Sequence, residues 1–107
     1  MVRSPVIAIT PESGTMSIGL GGFQETDQLP IFSKITKFQA HINNPARMAE
    51  LTARAFDRAV LEMGPAQINI PRDFFYGEIE CEVPQPIRIE RGPGGSRDLD
   101  AAADALA

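Results

Sequence analysis

The residues with the most chemical potential lie close together. The stretch IGLGGFQETDQLP, residues 18–30, carries Gly19, Gly21 and Gly22 directly into Phe23, Gln24 and Glu25. Glycines let a backbone approach a ligand closely or adopt positive φ. The Gln24 amide can donate to an oxyanion or accept from a hydroxyl without adding charge. Further along stand Lys37, which could attract an anion, and His41, the only histidine and a possible general base. Each has a plainer reading. Lys37 also fits a solvated lysine at a strand end, Gln24 a side chain capping a helix, and Phe23 a core residue. His41, near Asn43, reads better as a hydrogen-bonded structural group than as a base. Cys81, the single cysteine, sits in a linker without a neighbouring histidine and reads as an inert thiol. Glu78, Glu80 and Glu82 alternate on an extended segment and read as a solvated face.

The glycines do not spell a nucleotide-phosphate loop. A dinucleotide fingerprint needs its glycines in the first tight turn after a strand, and the turn here is Pro11-Glu12-Ser13-Gly14. A P-loop needs Gly-Lys-Ser/Thr opening a helix, and no lysine lies between Met1 and Ser33. A flexible connector and the floor of a different site both remain open.

The elements that must hold these residues are visible in the pattern. Pro5 to Thr10, PVIAIT, reads as a strand buried on both faces, central in a parallel sheet. The loop 11–22 leaves its carboxyl end, where open parallel sheets bind ligands. Gln24 to Ser33 has a helical spacing interrupted by Pro30. Ile35 to Ile42 reads as a second strand. Asn44 as N-cap and Pro45 at the first helical position start a helix predicted over 45–63. Met48, Leu51, Ala55, Ala59 and Met63 form its apolar stripe. Gly64 is expected at C′, with Pro65 blocking continuation. Gln67 to Ile70 is a third strand, so strand, helix and strand make a right-handed βαβ unit. Beyond the aromatic group Phe74, Phe75 and Tyr76, the prolines and glycines of 78–95 mark an extended linker. Ser96 to Ala107 reads as the start of a helix with Ser96 as cap.

The fold class expected is therefore α/β: a partial open parallel sheet of about three strands with flanking helices, followed by a linker. The chain has 107 residues, enough for one small domain, with a net charge of −4. That charge argues against nucleic acid, which wants a basic stripe. No run of about 18 apolar residues suggests a membrane span. One cysteine provides neither a disulfide framework nor a thiolate metal site, and a cytoplasmic location fits. Opening in a strand and closing inside a helix, the chain reads as a piece of a longer protein. Three strands should leave apolar surface uncovered.

The series PVIAITP, GGFQETDQLPIFSKITK and GPAQINIPRD, in this order, resembles the thiamine-diphosphate-dependent, acetolactate synthase-like enzymes. The match is to their N-terminal, pyrimidine-binding domain and covers nearly the whole chain from Pro5. The resemblance implies residues 1–78 as the C-terminal half of that domain, 79–96 as linker and 97–107 as the first helix of a central domain. It implies thiamine diphosphate and Mg2+ as cofactors, the metal ligands lying outside this chain, in a homodimer or homotetramer. The cofactor would supply the nucleophile. Gly22, Phe23 and Gln24 would face the cofactor, Gln24 with a catalytic part, and Lys37 would bind substrate. The implied branch converts sulfoacetaldehyde and phosphate to acetyl phosphate and sulfite, as in taurine breakdown. An acetolactate synthase-like decarboxylase-ligase is the competing enzyme, and a freestanding α/β interaction module the competing class. The family's activating glutamate has no match here, since neither Glu12 nor Glu25 occupies its place. The Gly-Asp-Gly…Asn-Asn metal motif has no match either. The resemblance therefore implies a chain that is inactive by itself and binds cofactor weakly.

Overall fold

The structure is a computed structural model that describes residues 3–23, 25–88 and 96–107. Three strands, β1 (Ile7–Glu12), β2 (Phe38–His41) and β3 (Ala66–Pro71), form one sheet in the order β1-β3-β2. All pairings are parallel. Ile7 and Phe38 both stand beside Ala66, and Thr10 and His41 both stand beside Asn69. The α/β class and the open three-strand parallel sheet are as the sequence implies.

The central strand is not the expected one. β3 lies in the middle and all six of its residues are buried, whereas β1 is an edge of this sheet and its Ile9 is 56% exposed. The Val and Ile content of β1 identified an apolar strand, but composition does not specify its neighbours. β1 also starts and ends two residues later than expected, and β2 is shorter, because Ile35 and Thr36 turn back onto the Phe32 carbonyl.

Between β2 and β3 runs α2 (Met48–Leu61), entered through a 3-10 turn at Pro45–Arg47. The Asn44 side chain accepts from the Ala46 amide, as an N-cap should. Leu51, Ala55 and Ala59 from α2 pack on Ala40, Ile68 and Ile70, which makes the core. Small alanines on the helix allow it to lie close to the sheet. At its far end the residue in left-handed conformation is Met63, φ 50°, not the expected Gly64. The Gly64 amide donates to the Ala59 carbonyl in the manner of a Schellman motif. Gly64 has a different constraint: a Cβ there would lie 2.7 Å from Lys37 Cγ, so a larger residue would have to displace the Lys37 side chain.

The interrupted segment before β2 gives only one turn of helix, α1 (Gln28–Phe32). Pro30 sits within its first turn, where a backbone N–H would have no helical partner. After β3 a 3-10 turn at Arg72–Phe75 leads to an irregular segment. Helix α3 (Ser96–Leu106) follows, with Leu99 and Leu106 exposed. Among the described residues no helix is long and apolar enough to cross a membrane.

Candidate functional site

Strand alternation gives the sheet two unlike faces. Ile68 and Ile70 face α2. Gln67 and Asn69 point the other way, and both are buried. Buried amides must be hydrogen-bonded, and these are. Gln39 Nε2 donates to Gln67 Oε1 at 2.8 Å and also to the Leu29 carbonyl of α1. Gln67 Nε2 donates to Thr10 Oγ1 at 3.0 Å, and Thr10 Oγ1 donates to Asn69 Oδ1 at 3.1 Å. Asn69 Nδ2 donates to the Glu12 carboxylate, and His41 Nε2 lies 2.9 Å from the same oxygen. A polar ladder thus crosses all three strands and climbs toward their carboxyl ends, where it stops at Glu12 and His41.

The glycine loop begins one residue beyond that carboxylate and is tied down by two others. Asp73, just past the end of β3, accepts from the Thr15 amide at 2.8 Å and from the Thr15 hydroxyl. Glu25 accepts from the Gly22 amide at 3.0 Å and from the Gly19 amide. The donors explain why both carboxyls titrate below their ordinary values. For Asp73 the Thr15 hydroxyl is the largest cause, and for Glu25 the Gly19 amide. Gly19 and Gly21 adopt φ of 89° and 69°, which a side chain would strain. The loop's amides therefore enclose an anion already present in the chain, the Glu25 carboxylate. Its Gly19 and Gly22 amides are thus already engaged and not free to cradle a phosphate.

Between loop and sheet lies an open pocket of about 250 Å³, lined by Glu12, Ser13, Ser17, Gly22, Phe23 and Arg72, among others. Gly22 and Phe23, two of the residues singled out from sequence, meet here. Phe23 is 94% exposed, so it is no core residue; its ring stands at the rim. Gln24 lies outside the described residues. Lys37 is not brought to this rim. It precedes β2, its amide donates to the Pro65 carbonyl, and its side chain lines a different pocket with Arg3 and Lys34 at the amino ends of the strands. Six residues of β1 separate the two ends, roughly 20 Å at about 3.3 Å per residue. His41 has the hydrogen-bonding role its position suggested, with Glu12 as partner. Cys81 is exposed and unpaired among the described residues. Among those residues no cluster of three or more His, Cys, Asp or Glu could hold a metal ion.

Sequence reasoning overlooked Arg72 and the ladder. The signal for Arg72 was present, an arginine directly after the strand-ending Pro71. The ladder's amides had no local signal, because Gln39, Gln67 and Thr10 lie on three separate strands.

An open parallel sheet whose carboxyl-end loop carries Gly-Gly-Phe-Gln-Glu is the arrangement the acetolactate synthase-like class was expected to show. No family model matches the chain. Individual relatives narrow the class: the chain is similar, over nearly all its residues, to sulfoacetaldehyde acetyltransferases. It is 63% identical over 104 residues to the one from Alcaligenes xylosoxydans xylosoxydans, covering 97% of this chain and 17% of the relative. To that of Castellaniella defragrans it is 64% identical over 105 residues, 98% of this chain and 18% of the relative. A probable acetolactate synthase large subunit from Methanocaldococcus jannaschii is 39% identical over 89 residues, 81% of this chain and 15% of the relative. The chain thus spans less than a fifth of the length of these curated relatives.

Proposed function

We propose that the chain is the rim-bearing part of a thiamine-diphosphate-dependent acyltransferase that converts sulfoacetaldehyde and phosphate to acetyl phosphate and sulfite. The observation that carries this reading is 63–64% identity over 97–98% of the chain to two sulfoacetaldehyde acetyltransferases; others of that name stand at 38% over 97% of the chain, against 39% over 81% for the acetolactate synthase relative. On this reading residues 1–78 belong to the pyrimidine-binding domain, 79–96 to a linker and 97–107 to the next domain. The parent is a cytoplasmic homodimer or homotetramer working in taurine breakdown.

The residues present fit one wall of a cofactor site. The Phe23 ring stands free at the pocket rim, where an aromatic heterocycle can lie against it. Thiamine diphosphate, when bound, supplies the nucleophilic carbon of the reaction. Gly22 admits a ligand close to the backbone, and Gln24, outside the described residues, is assigned there by the resemblance, with a neutral amide suited to developing oxyanion charge. The loop's Gly19 and Gly22 amides serve Glu25, so a diphosphate and Mg2+ would have to take their ligands from another domain. Lys37, at the other end of the sheet, is left out of this site.

The test is sulfite release from sulfoacetaldehyde by the intact protein, with thiamine diphosphate, Mg2+ and phosphate present. Acetyl phosphate should appear in equal amount. A protein that condenses pyruvate instead is the decarboxylase-ligase, and one that turns over neither substrate supports the interaction module.

A further inference from the structure

Charge is unevenly used at the carboxyl end of the sheet. The three carboxylates that build this rim are all engaged from within the chain. Glu12 is held by Asn69 and His41, Glu25 by the Gly19 and Gly22 amides, and Asp73 by Thr15. The cation beside them is not. Arg72 lines the pocket with Gly22, Phe23, Ser13 and Ser17, yet its side chain makes no ion pair or hydrogen bond to any described residue. The contrast with helix α2 is instructive. There Arg47 and Arg54 share Glu50, and Arg58 meets Glu62. What sets Arg72 apart from the other cations is its place, in the pocket at the carboxyl end of the sheet. Its place is fixed, too. It is the first residue after the fully buried β3, and its neighbour Asp73 anchors the loop that forms the opposite wall.

We propose that Arg72 is the receptor for a tetrahedral oxyanion, the sulfonate of the aldehyde substrate or the phosphate that accepts the acyl unit. A guanidinium offers a planar fork of donors that matches two oxygens of such a group, which an ammonium cannot do. Ser13 lines the same pocket with a neutral hydroxyl, while that of Ser17 is already given to the Gly14 carbonyl. The inference rests on the proposed reaction for the identity of the anion, but not for the existence of the site.

Two measurements separate these. In the intact protein, Arg72→Gln should raise the KM of one anionic substrate at least tenfold. Arg72→Lys, which keeps the charge and loses the fork, should raise it about threefold. Arg54→Gln, on α2, should leave both KM values alone. If sulfoacetaldehyde is the one affected, Arg72 reads the sulfonate; if phosphate, it reads the acceptor. Two unchanged KM values in Arg72→Gln overturn the proposal. Should the intact protein release no sulfite, the reaction is wrong and the site is judged by binding alone. Methanesulfonate and inorganic phosphate are then titrated while the Gly22 and Phe23 backbone amide resonances, from residues lining the same pocket, are followed. Saturable shifts with either anion, lost in Arg72→Gln, sustain the site, and their absence ends it.

Discussion

Strand β3 has two faces that are equally buried and held in different ways. Toward α2, Ile68 and Ile70 are packed among alanines and Leu51. Toward the loop, Gln67 and Asn69 are buried among hydrogen-bonding groups from β1 and β2. The apolar face needs only volume and proximity, and tolerates small shifts at modest cost. The polar face needs each donor to meet an acceptor, so it fixes the lateral register of three strands. That second face runs to Glu12 and the pocket. Fold stability and site geometry are therefore divided between opposite sides of one strand.

The largest effect should come from the packed side. Ile68 has no exposed surface, and Ile68→Ala removes buried methyl groups from the core beneath α2. A loss of about 2–5 kcal/mol is expected, read from the urea midpoint by circular dichroism. A loss well under 1 kcal/mol would mean that α2 does not form the core.

The polar side should cost less and show coupling. Gln67→Leu leaves the Gln39 amide without one acceptor and Thr10 without its donor, a penalty of about 1–3 kcal/mol. Adding Gln39→Leu removes the stranded amide as well, so the double substitution should cost less than the sum of the singles. Strict additivity would show that the ladder is only adjacency. The ladder also has a structural readout that packing lacks: Gln67→Leu should shift the amide resonances of Thr10 and Glu12, while Ile68→Ala should disturb mainly α2.

These two sides also differ in how far they could be read from the chain. Helix α2 was legible because its signals are local: the Asn44 cap, Pro45 and the spacing of Leu51, Ala55 and Ala59. The position of the glycine loop at a strand's carboxyl end was legible for the same reason. The central place of β3 was not, since strand order depends on contacts between residues nearly 60 apart. Met63 takes the left-handed position expected of Gly64, and Gly64 lies against the Lys37 side chain, a contact no local pattern reports. The second apolar face of α2 was missed as well. Phe56, with Met48 and Thr52, lines a groove of about 430 Å³ with Ile79 and Val83. Of the predicted site residues, the fold brings Gly22 and Phe23 together and sends Lys37 to the other end, because Lys37 directly precedes β2 and all strands of a parallel sheet start at the end opposite the loop.

The smallest expected effect lies in the loop, and it is a matter of pH. The carboxyls of Asp73 and Glu25 are both held below their ordinary values by the donors they accept, first the Thr15 hydroxyl and first the Gly19 amide respectively. A carboxyl depressed in the folded state contributes fully above its unfolded value, about 3.9 for Asp and 4.3 for Glu. The contribution fades as pH falls below those values and through the lower folded ones. From neutral pH down to about 4.5 the Thr15, Gly19 and Gly22 amide resonances should stay put. They should move only in more acid solution, while those of Ile68 and Ile70 remain fixed until global unfolding. Asp73→Asn should abolish the acid shift at Thr15 and leave that at Gly19, because the two clasps share no atom. Both clasps are solvent-exposed, so the change reports loop geometry more than stability. Glycine amides that titrate with a midpoint above the ordinary glutamate value would show that Glu25 is not their partner. The loop would then be open to an external anion after all, and the division of labour between the two faces of β3 would have to be redrawn at its polar end.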